Sequence, residues 1–174
     1  PFFLPLTYHN IDLDIPQNDL SKIRFTFFSD VSVVLYLLFS FVVIVVGVSF
    51  SSILEWTDVL CSMLRTVFWS GILFQSQYFV IYEALKKGRP VEHILLRQMF
   101  VVGALALAVI GPPGNGFVGI FQILHSRSLH LFQAVLMWMV LIWGILDICL
   151  QVIVYISIAN TAKEREKLSP MVPV

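Results

Sequence analysis

Residues 31–54 read VSVVLYLLFSFVVIVVGVSFSSIL, a stretch from Val31 to Leu54 without a single formal charge. Its valines and phenylalanines would suit a buried strand if the run were short, but strands are usually about 3–10 residues long. As a helix rising about 1.5 Å per residue, a run of this length crosses the roughly 30 Å hydrocarbon core of a bilayer. It is therefore expected to be a transmembrane helix, with Ser29 and Asp30 just before it in the place of N-cap residues.

Three further runs follow the same logic. A second span is expected at about 59–85, carrying Arg65 near its start and Glu83 near its end, and it is closed by Lys86-Lys87-Gly88-Arg89-Pro90. A third, at about 91–110, stops at Gly111-Pro112-Pro113-Gly114-Asn115-Gly116, the strongest helix breaker in the chain. A fourth, at about 131–158, contains one acid, Asp147, and runs on into the polar segment Lys163–Lys167. Between the last two spans, Phe117, Ile120, Phe121 and Leu124 recur at helical spacing while Gln122 and Ser126 fall on another face, so 117–130 is expected to be an amphipathic helix at the interface. Upstream, Ile11, Leu13 and Ile15 alternate with Asp12 and Asp14, and Pro1, Pro5 and Pro16 oppose a long helix, so residues 1–28 are expected to form an extended arm at the membrane surface. The expected fold is thus all-α: a polytopic integral membrane protein with a four-helix transmembrane domain at 29–160, an interfacial helix, the N-terminal arm and a polar tail at 161–174.

Composition agrees. Of 174 residues, 58% are hydrophobic and 13% charged, against about 45–50% and about 25% in a soluble domain. Eleven basic residues balance eleven acidic ones, which leaves no basic face for a nucleic acid. Cys61 and Cys149 lie in apolar runs and form no CxxC, so no disulfide framework and no metal site is expected. With four spans, Lys22, Arg24, Lys86, Lys87, Arg89, Lys163, Arg165 and Lys167 share one side, and only Arg127 lies on the other. Basic residues concentrate on the untranslocated side, so both termini are expected in the cytosol, or in the matrix of a mitochondrion.

Asp147 is the most informative single residue, because an isolated carboxylate in a bilayer costs several kcal/mol unless it is protonated, paired or in a polar cavity. Arg97 is its nearest partner by depth, and a structural pairing is the favoured expectation over a proton or cation site. Arg65 is expected to reach the headgroups of the opposite leaflet. Lys86, Lys87 and Arg89 form a cluster suited to lipid headgroups. Gly103, Ala104 and Ala108 give the third span a small-residue surface for close helix packing. His93, His125 and His130 are not spaced to share a haem, no P-loop, HExxH or GxSxG is present, and no cofactor is expected.

The sequence therefore leads to the expectation of a non-catalytic multi-pass subunit, not an enzyme, that packs against other membrane subunits and lipids in a larger complex. The chain starts at Pro1 without a methionine, compatible with a removed presequence, so an accessory subunit of a respiratory or ATP-synthase complex in the mitochondrial inner membrane is the specific form of that expectation. The alternative is a subunit of an oligomeric ion or proton channel or transporter with Asp147 in the path.

Overall fold

The computed structural model describes residues 14–50, 55–87, 92–111, 116, 118–125 and 131–168. Among them the regular structure is entirely helical. Helix α1 is Gln17–Phe50, α2 is Trp56–Leu73, and α2 runs through a π-helical turn at Phe74–Tyr78 into α3, Phe79–Lys87. Helix α4 is Glu92–Ile110, α5 is Ile120–His125 and α6 is Leu131–Leu168.

The start of α1 corrects the expectation of an extended arm. Residues 1–13 lie outside the described part, but from Gln17 onward the chain is helical. Pro16 precedes the first turn and its carbonyl accepts from Asp19 N at 2.9 Å, a place where proline loses nothing by lacking a donor. Leu20, Ile23 and Phe27 then recur at helical spacing and pack into one core cluster. Ser29 and Asp30 accordingly lie inside α1, both fully buried, and cap nothing. At the start of α2, Asp58 Oδ2 accepts from Glu55 N at 3.1 Å and Asp58 N donates to Glu55 O at 3.0 Å. The Asp58 carboxylate thus supplies one half of a capping box, the bond back to the amide at the helix start. Helix α4 ends where Gly111 takes a left-handed φ of 61° and donates back to Leu107 O at 3.0 Å. Within the expected interfacial segment helix α5 runs over Ile120–His125; Ile120, Phe121 and Leu124 are exposed while Gln122 is buried, and 117 and 126–130 lie outside the described residues.

The long rods alternate in direction. Along α1 and α6, Lys22 meets Thr161, Asp30 meets Gln151, Ser32 meets Asp147 and Tyr36 lies against Gly144, so the two run antiparallel. Ser40 with Arg65, and Phe27 with Tyr78, set α1 antiparallel to the α2–α3 rod. Gln98 with Gln151, and Val109 with Gly144, do the same for α4 and α6. Two core clusters fill the bundle. One holds Val33, Tyr36, Leu37, Leu73, Val101, Leu105 and Val140, and the other holds Ile23, Tyr78, Ile81, Tyr82, Ile94, Val154 and Ile158.

The outer surface is apolar, with Leu35, Val42, Phe68, Leu96, Leu107, Trp138 and Ile142 all exposed. Exposed apolar surface on this scale exceeds what a soluble monomer carries. Two helical stretches, Gln17–Ser49 and Leu131–Glu164, are both long and apolar enough to cross a bilayer, against the four expected from sequence. The amide-rich π turn divides the second expected span, and the apolar part of α4 is confined to Ile94–Ile110.

Candidate functional site

A polar layer lies between the two apolar clusters, and each of the four rods contributes one residue to it. Asp30 comes from α1, Gln77 from the π turn, Gln98 from α4 and Gln151 from α6. Asp30, Gln98 and Gln151 have no solvent exposure and Gln77 has 2%. The π turn is what aims Gln77 inward: its wider winding re-phases the helix face, a device frequent at functional sites.

The hydrogen bonds of this layer have one direction, fixed by a backbone atom. The Gln151 carbonyl can only accept, and it lies 3.2 Å from Gln98 Nε2. Gln98 Oε1 is then the acceptor for Gln77 Nε2 at 2.7 Å. Gln77 Nε2 and Gln98 Nε2 both donate to Gln151 Oε1 at 2.6 Å, which leaves Gln151 Nε2 to donate to Asp30 Oδ1 at 3.2 Å. Interhelical amide bonds of this kind hold transmembrane helices together where lipid removes the hydrophobic difference between them.

One turn along α6, Asp147 is also fully buried. Its Oδ1 accepts from Ser32 Oγ, and Ser32 in turn accepts from Trp143 Nε1 at 3.2 Å. The expected Asp147–Arg97 pair is therefore corrected. Arg97 adjoins Gln98 but is turned outward, where it lines an apolar cleft of about 360 Å³ with Trp69, Ile72, Leu96 and Phe100. Trp69 and Phe100 stack there with ring centres 6.5 Å apart.

Arg65 is corrected as well. It is 8% exposed, and instead of reaching headgroups its guanidinium donates to Gly116 O, to Ser62 Oγ at 3.1 Å and to Ser40 Oγ at 3.3 Å. It ties the segment after α4 to α1 and α2. Lys86 and Lys87 are exposed at the other end of the bundle, each with an acid beside it: Lys86 Nζ is 2.9 Å from Asp14 and Lys87 Nζ is 2.8 Å from Glu83. Arg89 lies outside the described residues. Of the small-residue set, Ala104 and Ala108 line a small cavity of about 10 Å³ together with Val33, Leu37, Arg65 and Trp69, whereas Gly103 is exposed and a methyl group there would meet nothing within 4 Å. Close packing occurs at Gly144 instead, where an added Cβ would lie 2.8 Å from Val109 and 3.1 Å from Tyr36.

An apolar exterior around rods joined by buried amides and acids defines a helical integral membrane protein. The match to a known family agrees: residues 1–165 fit the SCAMP family, a family of membrane proteins, and the chain belongs to it. No curated protein and no solved structure matches the chain.

Proposed function

We propose that this chain is a non-catalytic multi-pass component of a larger membrane assembly, crossing the bilayer four times through α1, the α2–α3 rod, α4 and α6. The alternating rod directions support that count, and α4 at 19 residues has a length of about 28 Å. Lys22 and Lys86, with their partners Thr161 and Asp14, lie where the N-terminal end of α1 meets the C-terminal end of α6. By the distribution of basic residues this is the cytosolic end, where Lys86 and Lys87 meet lipid headgroups. The family match lends no support to a respiratory or ATP-synthase complex, nor to a mitochondrial location.

The observation that carries the assembly reading is Arg97. A guanidinium on the outer flank of a membrane helix, beside an aromatic stack and an apolar cleft, is complementary to an acidic group on a neighbouring transmembrane subunit. In mild detergent the native protein is expected to migrate as a complex larger than its own micelle-bound monomer. Arg97→Leu should reduce that complex at least fivefold while circular dichroism stays unchanged. A native chain that is stable and monomeric on its own would refute this reading.

A second reading is favoured by the Asp147 Oδ2 atom, which is buried with no hydrogen-bond partner among the described residues. If Asp147 lies in an ion or proton path, Asp147→Asn retains the bond from Ser32, keeps the unfolding midpoint and abolishes flux into liposomes. Unchanged flux in that variant removes Asp147 from any path.

A further inference from the structure

The polar layer contains a surplus of acceptors. Because the Gln151 carbonyl fixes the direction of every amide, Gln77 Oε1 is left as an acceptor with no donor, and so is Asp30 Oδ2. Both are buried, and no hydrogen bond to either forms among the described residues. An ionised Asp30 here would be a buried charge whose one hydrogen-bond donor among the described residues is the neutral Gln151 amide, strongly disfavoured in a low-dielectric interior. The titratable groups facing the layer are acidic: Tyr78 from the π turn, and Asp147 one turn from Gln151 on α6. Helix α4 presents the neutral Gln98, with Arg97 turned outward.

A metal cation would need a shell of several oxygens, and the other side-chain oxygens of the layer already accept amide hydrogens at 2.6–3.2 Å. One added hydrogen would convert the Asp30 Oδ2 acceptor into a donor, and Gln77 Oε1 is the acceptor of the same layer that lacks one. We propose that Asp30 is a proton-binding site: its carboxyl is held in the acid form, with the Oδ2 hydrogen donated to Gln77 Oε1. One O–H···O hydrogen bond then joins α1 to the π turn, while Gln151 holds the other carboxyl oxygen. Release of that proton to water leaves a carboxylate oxygen facing an amide oxygen, two acceptors that repel, and so loosens the joint between all four rods. The amide layer thereby makes the packing of the bundle a function of one proton.

Infrared spectra of the purified full chain in detergent, in water and in deuterium oxide at neutral pH, test this directly. The native protein is expected to show a deuteration-sensitive C=O band of a protonated carboxyl, lost in Asp30→Asn and retained in Asp147→Asn. Asp30→Asn replaces the acid hydrogen by an amide hydrogen, so it should keep its helical content and lose the pH dependence of its melting midpoint. Gln77→Leu leaves the acid in place without its acceptor, and its band should shift to higher frequency; this variant decides the matter if Asp30→Asn does not fold. The proposal is overturned if the native band is absent, survives in Asp30→Asn, disappears in Asp147→Asn, or stays in place in Gln77→Leu. It is also overturned if exchanging sodium or potassium for choline shifts the native melting midpoint but not that of Asp30→Asn, the signature of a metal site.

Discussion

Gln151→Leu is expected to lower the stability of the bundle by about 3 kcal/mol, taking roughly 1 kcal/mol for each interhelical bond lost in a membrane. Three side-chain bonds end on this residue, from Gln77, from Gln98 and to Asp30. Leucine fills nearly the same volume, so little of the loss comes from an empty space. Most of it comes from the partners, since each buried group left unpaired bears its desolvation cost uncompensated. Titration with a denaturing detergent, followed by circular dichroism, measures this. The contrasting position is Gln133, equally buried, with neither amide atom bonded to a described residue. Gln133→Leu is expected to be neutral or stabilising, and a loss as large as that at Gln151 would show that burial of the amide, and not its network, governs both.

The second large effect is expected at the crossing of Gly111 and Gly119. A Cβ on Gly119 would lie 2.5 Å from the Gly111 Cα and from the Gly111 nitrogen, and 2.7 Å from the Ile110 carbonyl carbon. All three are backbone atoms, and Gly111 is itself held by its left-handed φ and by the bond that closes α4. Nothing flexible can move aside, so Gly119→Ala should cost about 3 kcal/mol, the upper part of the range for overpacking. Gly103→Ala is the matched control: its new methyl meets open space, and alanine favours helix over glycine by about 1 kcal/mol. Equal melting midpoints for the two variants would mean that the close approach at Gly119 does not constrain the fold.

The helical class and the membrane environment were legible in the sequence because both follow from the length of uncharged runs. Val31–Leu54 alone excludes a strand, and the breaks at Gly88 and at Gly111–Gly116 punctuate the chain near the ends of α3 and α4. The beginning of α1 was less legible, since the alternation of Ile11, Leu13 and Ile15 outweighed the helical spacing of Leu20, Ile23 and Phe27. The site was legible only in part. A search for formal charges finds Asp147, Arg65 and Arg97, and a depth argument then pairs two opposite charges that the helix faces keep apart: Gln98 is buried in the layer while Arg97 is exposed beside the outer cleft. Asp30 lies next to a charge-free run, where it resembles a cap. Gln77, Gln98 and Gln151 carry no charge and so escape a charge search. The signal that would have found them is the presence of amides deep inside each of three apolar rods, together with the amide-rich segment Phe74–Tyr78.

The polar layer also determines how the rods align lengthwise. The flanks of all four are long, smooth and apolar, and on either side of the layer a valine or isoleucine would pack nearly as well one turn away. Sliding any rod by a turn, about 5.4 Å, would move its amide or carboxyl into an aliphatic cluster and break the whole circuit together. The layer therefore acts as a detent that engages all four rods at once, with the Ser32–Asp147 and Arg65–Ser40 contacts as lesser notches beside it. It selects a single alignment during insertion and folding, much as one buried asparagine sets the register of a coiled coil.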